Sequence, residues 1–125
     1  TKIALIEKLA QITKTMHENG MNHRDFYLCH FLLDQRFAEH NTIDENTKLF
    51  LIDLHRAQLR SKTPLRWIIK DLGSLYFSAA EVALTKRDLF RFMKTYSGDK
   101  LRNIVDNKQE FWLNVEQRAK KLISE

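Results

Sequence analysis

The sequence predicts a mainly α protein of the α+β class, in which helices surround one two-stranded hairpin. Only one proline and three glycines occur in 125 residues, so tight turns are few. Apolar residues recur at intervals of three and four over most of the chain, which is typical of helices with one buried face. Two short apolar runs interrupt this pattern and suit strands. With 43% apolar and 30% charged residues, the composition is that of a folded domain.

The first half of the chain predicts one helix and the hairpin. A helix is expected over residues 2–18, with Leu5, Leu9, Ile12 and Met16 on its apolar face. Asn19-Gly20 should end it, because glycine readily adopts the left-handed conformation that follows a helix. Apolar residues 26–33 and 49–52 predict two paired strands, and the polar residues 34–47 between them predict a long exposed loop.

The second half of the chain predicts helices only. Pro64 stands at a helix start, and the following helix is apolar over most of its circumference, so it should be buried. Asp71 lies in the middle of that helix and therefore requires hydrogen-bond partners. Thr85 and Asp88 have the spacing of a capping box, and Ser97-Gly98 should close the helix that they begin. A short helix near Ile104 and a last helix over about residues 108–124 complete the chain.

Charge and cysteine content limit the classes of function. The net charge of +5 favours partners that carry several negative charges. No apolar run approaches the ~20 residues of a membrane-spanning helix. The single Cys29 excludes an internal disulfide framework and fits a reducing compartment. The five histidines raise a zinc hypothesis, but none of them pairs at the close spacing of a zinc site, so zinc is disfavoured.

Two aspartates have the arrangement of a phosphoryl-transfer site. Asp25 ends the segment Asn22-His23-Arg24-Asp25, and Asp53 follows the second predicted strand. In kinases the loop aspartate accepts the proton of the acceptor hydroxyl, and an aspartate after the next strand binds Mg²⁺. The alternatives are purely structural roles: a loop-capping carboxylate for Asp25 and a turn residue for Asp53. The pairing favours the kinase interpretation.

Some positions depart from the protein-kinase pattern. His30 occupies the place of the metal-binding asparagine, although Mg²⁺ prefers oxygen ligands to imidazole. His30 is therefore a candidate metal ligand, a contact to a phosphate or an acidic neighbour, or a core histidine. Leu54 and His55 replace the Phe and Gly that usually follow the metal-binding aspartate. These differences indicate a divergent kinase-like enzyme.

Several motifs in order resemble the lipopolysaccharide core heptose(I) kinase family, with the inner-core Kdo kinases as the nearest confusable group. The motifs lie between about residues 16 and 96: Asn22-His23-Arg24-Asp25, Cys29-His30-Phe31-Leu32-Leu33, Ile52-Asp53-Leu54-His55-Arg56-Ala57-Gln58, Lys70-Asp71-Leu72 with Leu75-Tyr76-Phe77-Ser78, and Leu84-Thr85 with Arg87-Asp88. The resemblance implies an ATP- and Mg²⁺-dependent kinase that phosphorylates a heptose of the lipid A–core on the cytoplasmic side of the inner membrane, with no nucleic-acid partner.

The resemblance also implies a role for individual residues. Asp25 is then the catalytic aspartate and Asp53 the metal ligand, while His23 and Asp71 orient the loop and Arg56 and Arg60 meet anionic substrate. Phe26 stands where a small residue such as cysteine is expected, which should affect packing more than chemistry.

A large part of the kinase pattern is not found in the chain. No Gly-rich phosphate loop, strand lysine or partner glutamate occurs, so residues 1–125 are expected to form the C-terminal lobe without the N-terminal nucleotide lobe. We expect that such a chain binds ATP poorly and does not turn over alone.

Two other classes of function stay open from the residues. A basic helical nucleic-acid-binding module is favoured by Arg56, Arg60, Lys62 and Arg66 and by the basic face Arg87, Arg91 and Lys94, but the sequence has no recognised DNA-binding layout. The second open class is a pseudokinase lobe, which binds its ligands but does not catalyse phosphoryl transfer.

Overall fold

The computed structural model describes residues 2–33, 49–80, 82 and 84–124. Within them lie the helices α1 (Lys2–Glu18), α2 (Leu65–Ser78), α3 (Lys86–Ser97), α4 (Leu101–Asn107) and α5 (Gln109–Ser124). Helix α1 packs against α3, and α2 packs against α5. Of these helices, none is both long enough and apolar enough to cross a membrane. The predicted mainly α class is confirmed.

The helix boundaries follow the capping residues that the sequence predicts. Pro64 occupies the N-cap of α2. Thr85 Oγ1 accepts the Asp88 N–H at 3.2 Å and Asp88 Oδ2 accepts the Thr85 N–H at 3.0 Å, so the capping box of α3 is complete. Gly20 follows α1 with φ +86° and Gly98 follows α3 with φ +63°, both in the left-handed region that glycine adopts at little cost.

Two antiparallel two-stranded sheets accompany the described helices. Strand β2 (Phe31–Leu33) pairs with β3 (Leu49–Leu51) and forms the predicted hairpin, with Phe31 opposite Leu51. The loop expected at residues 34–47 lies outside the described residues. Strands β1 (Met21–Asn22) and β4 (Gln58–Leu59) form the second sheet. The sequence did not predict this sheet, because a two-residue strand is too short to show alternation.

A close backbone contact joins the end of α1 to the second sheet. The Arg60 N–H donates to the Gly20 carbonyl at 2.8 Å. A Cβ atom at position 20 would lie 1.7 Å from the Arg60 carbonyl oxygen, which is an impossible contact. Gly20 is therefore required both for its backbone conformation and for the space that it leaves.

The predicted strand over residues 26–33 is wrong in its first half. Leu28–His30 form a short 3-10 helix, and the strand begins only at Phe31. The backbone turns here because the Tyr27 N–H donates to Asp25 O at 3.0 Å and the His30 N–H donates to Tyr27 O at 3.0 Å. The turn buries Phe26 completely and returns His30 to the Asp25 segment.

The buried face of α1 also differs from the prediction. Its buried residues include Ile6, Ala10, Thr13 and Met16, whereas Leu5, Leu9 and Ile12 are half-buried. Leu5 and Leu9 line a partly open cavity of about 270 Å³ between α1, α2, α3 and α5, and the lining of this cavity is mostly apolar.

The described core consists of two clusters that share α2. Leu72 joins Ile104, Trp112 and Val115 of the two C-terminal helices. Leu75 joins Met16 and Phe26 on the side of the Asp25 segment. Phe26 therefore acts in packing. Asp71 lies beside these clusters on the same helix and is 2% exposed.

A buried polar network surrounds the Asp71 carboxylate. His17 Nε2 lies 2.9 Å from Asp71 Oδ2, and His17 Nδ1 lies 2.7 Å from the Tyr96 hydroxyl. Because a carboxylate accepts, these partners assign the proton to His17 Nε2, and the Tyr96 O–H donates to Nδ1. The backbone N–H groups of His23 and Arg24 donate to Asp71 at 2.9 and 3.1 Å. The network thus connects α1, α2, α3 and the segment that carries Asp25.

Removing single members of this network should separate its effects on stability. We expect His17→Ala to destabilise the fold by about 3 kcal/mol, because it leaves the buried Asp71 carboxylate short of a donor. Tyr96→Phe removes one hydrogen bond to His17 and should cost about 1 kcal/mol. Urea unfolding at pH 7 measures both. Equal, near-zero effects would contradict the network.

The buried Tyr96 hydroxyl also predicts how the free energy of unfolding changes at alkaline pH. Burial raises the pKa of Tyr96 above its ordinary value, and the negative charges of Asp71 and Glu18 raise it further. The unfolded chain then releases this proton first, so stability falls as the pH rises through about 10. Tyr96→Phe should lose less stability in that range than the original chain. The control is Tyr76→Phe, whose hydroxyl makes no hydrogen bond within the described residues and should leave the profile unchanged.

Candidate active site

The segment that carries Asp25 is held in a strained conformation by the Asp71 carboxylate. Arg24 has φ +74°, a left-handed value that is rare for a residue with a long side chain. Its N–H is fixed on Asp71 Oδ1, and the preceding His23 N–H is fixed on Asp71 Oδ2. The hydrogen bonds that were expected for the buried Asp71 are therefore those that hold this loop. Strained backbone of this kind is concentrated at functional sites.

His23 connects the loop to the end of strand β3. Its ring is fully buried, and Nε2–H donates to the Ile52 carbonyl at 2.9 Å. Its other ring nitrogen, Nδ1, accepts the Asp25 N–H at 3.1 Å. The side chain of His23 therefore fixes the position of Asp25 relative to the residue that precedes Asp53.

The Asp25 carboxylate has one occupied and one unoccupied oxygen. Oδ1 accepts a hydrogen bond from the Arg56 guanidinium at 2.8 Å. Oδ2 is buried and has no hydrogen-bond partner in the described part of the chain. The side chain as a whole is 16% exposed, so Asp25 lies near the surface while its Oδ2 atom is itself buried. A buried oxygen without a donor is costly, and it is suited to receive a hydroxyl group of a substrate.

His30 links Asp25 to Asp53. Its Nδ1 lies 2.6 Å from the Asp25 carbonyl oxygen, so Nδ1 carries a proton and donates it. Its Nε2 lies 3.2 Å from Asp53 Oδ2. One imidazole ring thus spans the two acidic segments that the sequence singled out.

Asp53 presents an accessible carboxylate from a strained position. It has φ +62°, and Arg24 is the only other non-glycine residue with a positive φ in the described ranges. Its side chain is 37% exposed. His55 contacts Asp53 Oδ1 while His30 lies beside Oδ2, so two imidazoles flank the carboxylate.

The two arginines expected at the site differ in their contacts. Arg56 is half-exposed and paired with Asp25. Arg60 donates to Asn22 Oδ1 at 3.2 Å and to Gln58 Oε1 at 3.0 Å, so its partners are neutral amides. The guanidinium of Arg60 retains its full positive charge for a further partner.

Sequence reasoning missed two residues that support the site. His17 entered only as one of five histidines in the zinc hypothesis, and Tyr96 was not singled out. A usable signal exists for His17, because a histidine within the apolar pattern of α1 requires a buried partner, as Asp71 does. Across residues 2–33, 49–80, 82 and 84–124, no three His, Cys, Asp or Glu side chains are grouped to hold a metal ion by themselves.

The chain matches known proteins over nearly its full length. A model of the "Lipopolysaccharide kinase (Kdo/WaaP) family" matches residues 1–96. The lipopolysaccharide core heptose(I) kinase WaaP of Escherichia coli is 45% identical over 121 residues, which is 97% of this chain and 44% of that protein. The WaaP protein of Pseudomonas aeruginosa is 45% identical over the same shares of both chains.

A solved structure is similar as well. The structure of "WaaP in complex with acyl carrier protein" superposes with a TM-score of 0.83 and 44% identity, and the match covers 97% of this chain and 49% of that one. The chain thus spans less than half the length of the curated relatives that it matches. Because the family model matches 96 of its 125 residues, the chain belongs to the lipopolysaccharide kinase (Kdo/WaaP) family.

Proposed function

We propose that this chain is the C-terminal lobe of a kinase that transfers a phosphoryl group from ATP to a heptose of the lipopolysaccharide core. The observation that carries the proposal is the buried Asp25 Oδ2, which has no hydrogen-bond partner among the described residues and lies on a loop that His30 connects to Asp53. The identity of about 45% to heptose(I) kinases supports the choice of acceptor. Heptose is preferred to the Kdo sugar on this similarity.

The described residues fit a nucleotide-bound Mg²⁺ ion. Asp53 offers an accessible carboxylate, and Mg²⁺ is commonly bound by one or two carboxylates together with phosphate oxygens of the nucleotide. His30 Nε2 faces the same carboxylate and is the second candidate ligand. When bound, the ion neutralises charge that develops on the transferred phosphoryl group.

The residues around Asp25 orient the acceptor and remove its proton. In this mechanism Asp25 Oδ2 accepts the hydrogen bond of the heptose hydroxyl and then its proton. Arg56 holds the other oxygen, so the carboxylate presents Oδ2 in a fixed direction. His23 and Asp71 hold the loop in its strained conformation, and the charges of Arg56 and Arg60 attract an anionic acceptor.

We also propose that the protein works peripherally on the cytoplasmic face of the inner membrane. The acceptor is a glycolipid, so the enzyme must reach a membrane surface. The net charge of +5 supports attraction to an anionic lipid surface. Binding of nucleic acid is the competing use of this charge, and the match to kinases disfavours it.

Replacing Asp25 tests the central assignment. In protein that carries both kinase lobes, Asp25→Asn should lower kcat about 10²–10⁴-fold, because the loop loses its proton acceptor but keeps its shape. A labelled-ATP transfer assay with core glycolipid measures the rate. Asp106→Asn on the surface of α4 is the matched control and should keep full activity. Unchanged activity in Asp25→Asn would exclude Asp25 as the base.

Replacing His30 tests its role beside the metal. His30→Asn introduces the residue of the protein-kinase pattern, and an amide oxygen suits Mg²⁺ better than imidazole does. The Mg²⁺ concentration that gives half the maximal rate should therefore fall by at least about threefold. Initial rates at varied Mg²⁺ measure this. His55→Asn also removes an imidazole from Asp53 but does not touch Asp25, and it should leave the Mg²⁺ requirement unchanged. Equal behaviour of the two variants would contradict a metal role for His30.

We further propose an acyl carrier protein as a partner of this chain. The similar solved structure is a complex with that protein, and the largely apolar cavity between α1, α2, α3 and α5 is suited to an acyl chain. A flexible apolar chain gains affinity from each methylene that it buries.

A series of acyl chain lengths tests this partnership. Affinity for acylated carrier protein should rise about fourfold per added CH₂ until the cavity is full, because each buried CH₂ contributes ~0.8 kcal/mol. Leu9→Trp narrows the cavity and should abolish this dependence, whereas Leu113→Trp on the exposed side of α5 should not. Affinity independent of acyl length would contradict the use of the cavity.

A further inference from the structure

Four cationic side chains surround the indole ring of Trp67. The distances to the ring centroid are 5.6 Å for the Arg24 guanidinium carbon, 5.8 Å for that of Arg60, 5.6 Å for that of Arg66 and 4.5 Å for Lys70 Nζ. We call these five residues the Trp67 cation cluster. Arg24, Arg66 and Lys70 are exposed, so the cluster is accessible from solvent.

The charge of the Trp67 cation cluster is not neutralised within the part of the chain that the structure describes. No carboxylate there forms an ion pair with any of its four cations, and the partners of Arg60 are neutral amides. Arg66 and Lys70 are one helical turn apart on α2, a spacing at which like charges destabilise a helix. Attraction to the indole face offsets only part of this repulsion. Among the described residues the arrangement therefore lacks a negative partner.

Two further features at the same place favour an anion. Helix α2 begins at Pro64 with no side-chain cap and no acidic residue in its first turn, so the positive end of the helix dipole is uncompensated beside Arg66 and Trp67. Asn22 is completely buried, its Oδ1 accepts from Arg60, and its Nδ2 has no hydrogen-bond partner among the residues that the structure describes. A buried amide that contacts the cluster thus has one unpaired donor among those residues, which favours an acceptor atom nearby.

The Trp67 cation cluster is next to the catalytic loop. Arg24 directly precedes Asp25, and its backbone is fixed by the Asp71 carboxylate. A group bound by the Arg24 side chain is consequently held at a defined position relative to the Asp25 carboxylate. The anionic nucleotide is assigned to Asp53 and His30, so the cluster is free for a different ligand.

We propose that the Trp67 cation cluster binds an oxyanion group, a phosphate ester or a carboxylate, that the glycolipid acceptor carries at a position other than the reacting hydroxyl. This proposal rests on the proposed kinase function. Guanidinium groups bind such oxyanions through paired, charge-assisted hydrogen bonds. Binding at this second point would hold the acceptor beside Asp25 equally in the ground state and in the transition state.

The test removes two charges of the cluster that lie outside the catalytic machinery. In protein that carries both kinase lobes, Arg66→Gln/Lys70→Gln is compared with Lys86→Gln/Arg87→Gln, which removes the same charge from the exposed start of α3. The cluster variant should raise KM for the acceptor about five- to twentyfold, since each exposed charged contact changes a binding constant about two- to fivefold. Its kcat and its KM for ATP should stay within about twofold of the control, because the lost contact stabilises the bound acceptor and the transition state equally.

A binding measurement that needs no phosphoryl transfer accompanies the kinetics. The indole ¹H–¹⁵N signal of Trp67, assigned with Trp67→Phe, is followed during titration with the acceptor glycolipid. The same titration is made with acceptor from which phosphate and carboxylate groups have been removed, with inorganic phosphate, and with anionic phospholipid vesicles that contain no acceptor. The intact acceptor should bind most tightly, and the stripped acceptor should not shift the signal.

Each outcome decides between the proposals. Equal KM values for the two double variants, or equal binding of stripped and intact acceptor, overturn the inference and leave the kinase function intact. Vesicles that bind as tightly as the acceptor overturn it in favour of a lipid-headgroup site. Absence of transfer together with cluster-dependent acceptor binding would refute the proposed function instead.

Discussion

The buried carboxylate of Asp71 is the constraint on which the site depends. It accepts hydrogen bonds from two consecutive backbone N–H groups of the segment that carries Asp25 and from the His17 ring. An isolated buried carboxylate would cost several kcal/mol, so these donors are needed for the stability of the fold. The need to satisfy one charge on α2 thus imposes the left-handed backbone of Arg24 and the position of Asp25. Stability and the geometry of the candidate site have the same cause here.

Two imidazole rings of the site connect the Asp25 segment to the residues around Asp53. His23 connects the loop to the end of β3 through the Ile52 carbonyl, and His30 connects the Asp25 carbonyl to the Asp53 carboxylate. Both residues with a strained positive φ in the described ranges, Arg24 and Asp53, lie at the ends of these connections. Position and charge supply most of the rate in phosphoryl transfer, so a rigid frame of this kind is what the proposed reaction requires.

Local sequence signals predicted much of the fold. The capping box at Thr85, the glycine stops at Gly20 and Gly98 and the proline start of α2 are found as expected, because each is decided by neighbours in the sequence. The demand of Asp71 for partners was equally readable, since burial of a charge has one physical remedy. The β1–β4 sheet and the turn before Phe31 were not predicted, because backbone contacts rather than apolar alternation determine them.

What the sequence could not show is which residues meet from distant positions. His17 meets Asp71 across 54 residues and Tyr96 across 79, and no periodicity encodes such partners. The Trp67 cation cluster is another example, because Arg24 reaches the ring from a different segment of the chain. Motifs identified the acidic residues of the candidate site together with Arg56 and Arg60, whereas the grouping of Arg24, Arg66 and Lys70 around Trp67 is seen only in the structure. The roles of Asp25, Asp53 and His30 stay predictions.

The contact between Gly20 and Arg60 limits how segments of this chain can be exchanged with those of its relatives. The Arg60 carbonyl oxygen lies where a Cβ atom of residue 20 would be, and the Arg60 N–H donates to the Gly20 carbonyl at 2.8 Å. A chimera with its crossover between these positions would join two halves that were shaped separately. Chimeras that take Gly20 and Arg60 from the same parent keep this contact. Crossover points in engineered members of the family are therefore best placed outside residues 20–60.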